Sequence, residues 1–273
     1  MQPSDIYALT LAGLLVVASA FRLAAMVGQA RFPQAVRWAL KHFVYPHFYR
    51  RALGMDPPAR YQALLQATYC AGTLACNIAG LDSVTEAGLR ASRISVANLV
   101  PLAIASPLGY AADLVGLTIP AFARLHGCIA VMMAVQASFH VATVMAERRF
   151  KSEDPVHFTG LLTAIFCALL LIAPCFRRYW YEVFLKMHIC FTALALYFLW
   201  SHLAHLQSVH RYVVLGGALT LAATSAWRLG LIICRNIRPG RPWPQAKIAW
   251  HGGTAHLKIW LPNPWEVQAG QYV

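Results

Sequence analysis

Long runs of apolar residues, separated by short polar segments, make up most of this chain. A helix that crosses a membrane needs about 20 mostly apolar residues. By that measure we predict an all-α membrane protein, with about seven transmembrane helices in a bundle. The predicted spans run roughly over residues 6–28, 61–81, 94–116, 120–146, 157–176, 182–206 and 211–233.

The hydrophobic pattern changes from about residue 245. The stretch KIAWHGGTAHLKIWLP alternates apolar and polar positions around Gly252 and Gly253, which predicts a β-hairpin. We expect this hairpin to be the start of an antiparallel β-barrel. The chain is therefore divided into N-terminal spans with a basic loop (1–90), a membrane domain (91–235) and a β segment (236–273).

Composition supports a membrane environment. Hydrophobic residues make up 59% of the chain and charged residues 12%, whereas a soluble domain has roughly a quarter charged residues. Membrane lipid is therefore the expected surroundings of most of the surface. The seven cysteines include no C-x-x-C pair, so we interpret them as small apolar packing residues.

The chain is strongly basic, with 23 Lys and Arg against 10 Asp and Glu. Basic residues concentrate in the segment 29–60 and in the tail after the last span, which seven spans would place on the same side. Cytoplasmic segments carry such an excess, so we expect the N-terminus outside and the C-terminus in the cytoplasm. No Lys/Arg-rich run is suited to a phosphate backbone, and no nucleic-acid partner is expected.

Four histidines share one spacing. His126 and His140 lie in the fourth predicted span, His188 and His202 lie in the sixth, and thirteen residues separate the members of each pair. Fourteen helical steps rise about 21 Å and rotate about 1400°, some 40° short of four full turns. Both members of a pair should therefore face nearly the same way at two depths.

The fourth and sixth spans should run parallel because one span separates them. His126 is then level with His188, and His140 with His202. Two such helices facing each other offer two bis-imidazole sites, the axial ligation that two b-type haems require. A single histidine in a membrane helix is more often a packing or pathway residue, but two equal pairs on parallel helices favour haem iron ligation.

The remaining candidates leave alternatives open. His157, His205 and His210 should lie near the outer side, as ordinary solvated residues or as a surface for a metal ion or substrate. Four basic residues at the level of the lower histidines are either partners of haem propionates or topology anchors. They are Arg124, Arg177, Arg178 and Lys186.

Three stretches resemble a known family. They are ASRISVANLVPLAIASPLGY, ARLHGCIAVMMAVQASFHVATV and FLKMHICFTALALYFLWSHL. Over about 90–273 the chain resembles the ferric reductase transmembrane domain, shared by fungal ferric-chelate reductases and, more distantly, NADPH oxidases. The equal H-x13-H interval on both helices is more like the metalloreductase branch, since the oxidases typically shorten the second interval by one.

The tail HLKIWLPNPWEVQAGQYV resembles the first strands of the flavin-binding barrel that follows the membrane domain in this family. Trp265, Gly270 and Gln271 fit that pattern. The family's H-P-F-[ST] flavin motif and its NADPH-binding lobe should come next, but the sequence ends before them. We therefore expect a truncated chain that cannot bind flavin by that motif or accept hydride from NADPH alone.

The resemblance implies an NADPH-dependent ferric-chelate reductase. In the family, electrons pass from NADPH to FAD, to an inner haem, to an outer haem and then to an acceptor. By resemblance His126 and His188 hold the inner haem, and His140 and His202 the outer. The implied acceptors are ferric or cupric chelates, across the plasma membrane or, alternatively, the vacuolar membrane. FAD and NADPH are expected only in a full-length protein, or with a partner that completes the flavin domain.

Other functions compete with this interpretation. A superoxide-producing oxidase is disfavoured by the spacing of the second pair, and a di-haem cytochrome b of a quinol-oxidising complex by the β tail. A seven-helix receptor or transporter with structural histidines would show no haem spectrum. An inactive reductase remnant is the fourth alternative.

Overall fold

The computed structural model describes residues 58–104, 117–147, 150–237 and 243–260, with isolated positions elsewhere. Most of the first predicted span and of the basic segment 29–60 lies outside the described residues, as do Trp265, Gly270 and Gln271. The described part is mostly helical and has one two-stranded sheet. Its elements are α1 (Arg60–Ile78), α2 (Val84–Ala97), α3 (Leu99–Ile104), α4 (Ile119–Ala146), α5 (Pro155–Ile172), α6 (Tyr181–His205), α7 (Arg211–Asn236), β1 (Gln245–His251) and β2 (Thr254–Trp260).

Four of the described helices are long and apolar enough to cross a membrane. They are Ile119–Ala146, Pro155–Phe176, Tyr181–His205 and Arg211–Cys234, where a 3-10 turn at Ala173–Phe176 extends α5. They match the last four predicted spans, so the chain is an integral membrane protein. Helix α1 occupies the second predicted span, and the total of seven spans stays a prediction.

The third predicted span differs from the structure. Helix α2 begins at Val84, before the predicted start at residue 94, and ends at Ala97, after which the short α3 follows. Pro101 has no N–H to donate to the carbonyl of Ala97, so an unbroken helical hydrogen-bond ladder cannot pass this point. Positions 105–111, including Pro107, lie outside the described residues.

A buried arginine fastens the turn between α1 and α2. Arg90 is 5% exposed, and it donates to the carboxylate of Glu86 at 2.7 Å and to the carbonyls of Ala79 and Gly80 at the end of α1. A cation is favourable at a helix C-terminus because unpaired carbonyls give that end partial negative charge. The same Arg90 hydrogen bond holds the pKa of the Glu86 carboxyl below its ordinary value.

Side-chain contacts fix the direction of the helices around α4. Helix α1 runs parallel to α4 because their contacts advance together, whereas α2 runs antiparallel because its contacts advance in opposite order. The α1 contacts are Gln62 with Arg124, Cys70 with Cys128, and Asn77 with Gln136. The α2 contacts are Thr85 with Glu147, Gly88 with Thr143, and Ser95 with the carbonyl of Met133.

A small apolar core joins α2, α6 and α7. Val96, Leu203 and Val214 are 7%, 8% and 1% exposed and pack together. Partly buried side chains surround them, namely Leu99, Leu196, Leu199, Trp200 and Val213. This core brings the end of α6, which carries His202, into contact with α2.

A second buried cluster is polar. Asn98 is 0% exposed, and its Oδ1 accepts hydrogen bonds from the hydroxyls of Tyr7 at 2.7 Å and Tyr69 at 3.0 Å. The hydroxyl of Thr73, also 0% exposed, lies 3.2 Å from that of Tyr7. Asn98 therefore connects α1 to the junction between α2 and α3 through hydrogen bonds out of reach of water.

We expect Asn98→Ala to destabilise the protein clearly, because two buried hydroxyls lose their acceptor at about 1–3 kcal/mol for each unsatisfied group. Tyr69→Phe is the matched control, since it removes one donor and leaves Tyr7 bonded to Asn98. Its expected cost is about 1 kcal/mol. Thermal unfolding of the purified variants in detergent measures both changes, and equal melting temperatures for the two variants would contradict this role of Asn98.

The chain divides into two compact units, 1–221 and 222–273. In the second unit β1 and β2 pair antiparallel, from Gln245 opposite Trp260 to His251 opposite Thr254. Gly252 and Gly253 form the two-residue turn with φ of 56° and 79°, the left-handed values that this tight turn requires. The predicted hairpin is confirmed, while the predicted barrel remains untested.

Candidate functional site

The four predicted site histidines lie on α4 and α6, and each is half-buried. The structure brings His126 close to His188 and places His140 within electrostatic range of His202. Helices α4 and α6 therefore run parallel, as predicted from the single span that separates them. We call His126 and His188 the first tier, and His140 and His202 the second tier.

The first tier is a direct approach of two imidazole rings. The ring centres of His126 and His188 lie 6.3 Å apart, and the ring planes meet at 63°. Within the described residues, the Nδ1 atoms of both rings are buried and have no hydrogen-bond partner. Phe184, one turn earlier on α6, packs against His188 with ring centres 5.6 Å apart.

The second tier is built differently. Nδ1 of His202 lies 2.8 Å from the carbonyl oxygen of Val156 at the start of α5. A carbonyl can only accept, so this nitrogen carries the proton and Nε2 keeps its lone pair. Nδ1 of His140 is buried without a hydrogen-bond partner in the described part of the chain.

Two features of the α5 sequence bring this helix close to His202: a well-capped start and a glycine one turn later. Asp154 caps the helix, its side chain accepting from the backbone N–H of Val156 at 2.8 Å, and Pro155 occupies the first turn, where its missing N–H costs nothing. One turn later Gly160 faces the ring of His202. A Cβ at Gly160 would stand 3.0 Å from Nδ1 and 3.1 Å from Cε1 of that ring.

The first tier fits a metal ion whose remaining ligands come from a bound group. Among the described residues, no group of three or more His, Cys, Asp or Glu side chains is placed to hold a metal, so neither tier is a complete protein-only site. An ion about 2 Å from one nitrogen of each ring puts the ring centres roughly 6 Å apart, which matches the 6.3 Å of the first tier. Two imidazoles are also what a macrocycle-bound iron still requires.

The secondary candidates have other contacts. Arg124 donates to the side-chain oxygen of Gln62 at 2.7 Å, which ties α4 to α1. His157 accepts from the backbone N–H of Lys151 at 3.1 Å, and His210 lies 3.1 Å from the hydroxyl of Ser208. Two of the three histidines of the predicted outer surface, His157 and His210, are thus engaged in local hydrogen bonds. His157 and His205 both interact electrostatically with His202.

Sequence reasoning did not identify Val156, Gly160 or Phe184 as part of the site. Val156 contributes only its backbone carbonyl, and every residue type has one, so the sequence could not indicate this contact. Gly160 carried the one detectable signal, because a glycine within an apolar helix often marks a close approach.

Comparisons with known proteins identify one family. Residues 91–199 match the family described as ferric reductase like transmembrane component. The matched range includes His126, His140 and His188, whereas His202 lies three residues beyond its end. No curated protein matches the chain, and no solved structure matches it.

Proposed function

Residues 91–199 match the family described as ferric reductase like transmembrane component. From this match we propose that the protein transfers electrons across a membrane through two b-type haems. The observation that carries the proposal is the first tier. Two half-buried imidazoles face each other at 6.3 Å with no hydrogen-bond partner for Nδ1 in the described residues. That separation is the one expected of two imidazoles that bind a single iron with about 2 Å between the metal and each ligating nitrogen.

The chain's own residues would hold and orient the haems. His126 with His188 would hold one haem, and His140 with His202 would hold the other. Each bound haem would supply one-electron chemistry and no open iron position, which suits electron transfer better than oxygen binding. Phe184 would keep the ring of His188 in place by packing.

Depth in the membrane supports the use of two tiers. Fourteen residues along α4 or α6 correspond to about 21 Å of rise, and the apolar core of a bilayer is about 30 Å thick. Two sites at these depths divide the crossing into shorter steps. The apolar helices around them exclude ions and water from the path.

The proposed acceptor is a ferric or cupric chelate on the side of the second tier. The electrons would come from NADPH through FAD in the complete protein, or with a partner that completes the flavin domain. The plasma membrane is the proposed location, with the vacuolar membrane as the alternative. The equal spacing of both histidine pairs favours a metal chelate over oxygen as acceptor.

The test is an optical spectrum of the chain purified in detergent after expression with added haem. We expect b-type bands in the reduced-minus-oxidised difference spectrum and two haems for each chain. Absence of these bands would overturn the proposal and favour a receptor or transporter.

Transfer across the bilayer is tested in vesicles with dithionite trapped inside and Fe(III)-EDTA outside. We expect ferrous iron to form outside faster than in vesicles that carry a His126→Ala/His140→Ala double variant. Equal rates would show that the chain does not conduct electrons.

A further inference from the structure

The second tier has a hydrogen bond at Nδ1 of one of its two histidines. In the described residues, Nδ1 of His126, His140 and His188 has no hydrogen-bond partner, whereas Nδ1 of His202 bonds the carbonyl of Val156 at 2.8 Å. This bond comes from a neighbouring helix, so its length depends on how closely α5 approaches α6.

Gly160 permits that approach. It lies one turn after Val156 on α5. Because glycine has no side chain, the His202 ring can pack close to the helix at this point. With a Cβ only 3.0–3.1 Å from two ring atoms, the ring would have to move by a few tenths of an ångström. That movement lengthens or bends the bond to Val156, because helix α5 holds the carbonyl in place.

A hydrogen bond at the distal nitrogen changes what a histidine does to a metal. An imidazole whose N–H donates to a carbonyl is oriented and is a more basic ligand. A more basic axial ligand favours ferric over ferrous iron, and hydrogen bonds around the ligands are one of the means by which proteins set haem potentials.

We infer that the carbonyl of Val156 and the small size of Gly160 act as positioning groups for His202 and lower the reduction potential of the second-tier haem. The inference rests on the proposed function, since it concerns the same site. A lower potential makes the second tier a stronger reductant toward an external metal chelate. The first tier has no matching interaction in the described residues.

The first experiment compares Gly160→Ala with Gly216→Ala by redox titration of the purified haem-loaded chain. Gly216 is the matched control because a Cβ there would meet no atom within 4 Å. In Gly160→Ala we expect two haems and a positive shift of one midpoint potential. The ferrous-to-ferric ratio of that haem should rise about threefold at fixed potential, or about 30 mV at 59 mV per tenfold change. In Gly216→Ala both potentials should stay unchanged.

The second experiment removes the hydrogen bond without changing the sequence of α5. In His202→Gly, added imidazole or 1-methylimidazole takes the place of the lost side chain. Both can ligate iron, but 1-methylimidazole has no N–H to donate to Val156. We expect imidazole to restore the original second-tier potential and 1-methylimidazole to give a more positive one.

Equal potentials with the two imidazoles, together with equal behaviour of Gly160→Ala and Gly216→Ala, would overturn the inference. That result would leave the proposed function intact, because both haems would still be bound. A wild-type chain that binds no haem would instead refute the proposed function.

Discussion

Replacing His140 with alanine should leave one haem for each chain while the protein still inserts into the membrane. Without His140, His202 would be the only residue left to hold the second-tier haem. The first tier should keep its haem because His126 and His188 face each other without help from His140. The haem-to-protein ratio of the purified variant, set against the wild-type ratio, measures the result.

Double variants test which histidines work together. The double variant His126→Ala/His188→Ala should lose no more haem than the single variant His126→Ala, because both substitutions lie in the same tier. The double variant His126→Ala/His140→Ala should lose both haems, because it removes one histidine from each tier. If the two double variants keep the same amount of haem, or if His140→Ala keeps two haems, the pairing is wrong.

Replacing Gly88 with leucine should prevent α2 and α4 from packing and sharply reduce the yield of folded protein. A Cβ at Gly88 would stand 2.9 Å from Cβ and 3.0 Å from Cγ2 of Thr143, with the hydroxyl still closer. Thr143 has little freedom to turn away because its branched side chain is stiff. Even Gly88→Ala should cost about 1–3 kcal/mol, as overpacked sites do.

Thermal unfolding in detergent measures the effect of Gly88→Ala. In a chain of this size, each kcal/mol of lost stability lowers the melting temperature by about 2–4 °C. Gly72→Ala is the control, since a Cβ at that position on α1 meets nothing within 4 Å. Combining Gly88→Ala with Thr143→Gly should recover much of the lost stability, because the opposing side chain is then absent. A Gly88→Ala protein as stable as Gly72→Ala would show that α2 does not pack against α4 at this point.

Helix packing explains why part of the fold escaped prediction. The last four spans were predicted correctly because each is a long apolar run, and the hairpin because its two glycines suit a tight turn. The break in the third span accords with Pro101 in its sequence, but a hydropathy pattern cannot show that the buried amide of Asn98 accepts hydrogen bonds from Tyr7 and Tyr69. The early start of α2 was missed because Arg90, which a hydropathy scan counts against burial, is paired inside the protein.

The sequence alone determined the spacing of the four histidines and hence two tiers at two depths, because helical rise and rotation depend only on residue number. The tertiary structure decided the rest. It brought the rings of His126 and His188 to 6.3 Å. It also gave Nδ1 of His202 a hydrogen bond to the carbonyl of Val156, whereas Nδ1 of the other three rings has no partner within the described residues. Those differences arise from how closely α5 and α6 approach each other, and that distance is set by contacts between residues far apart in the chain.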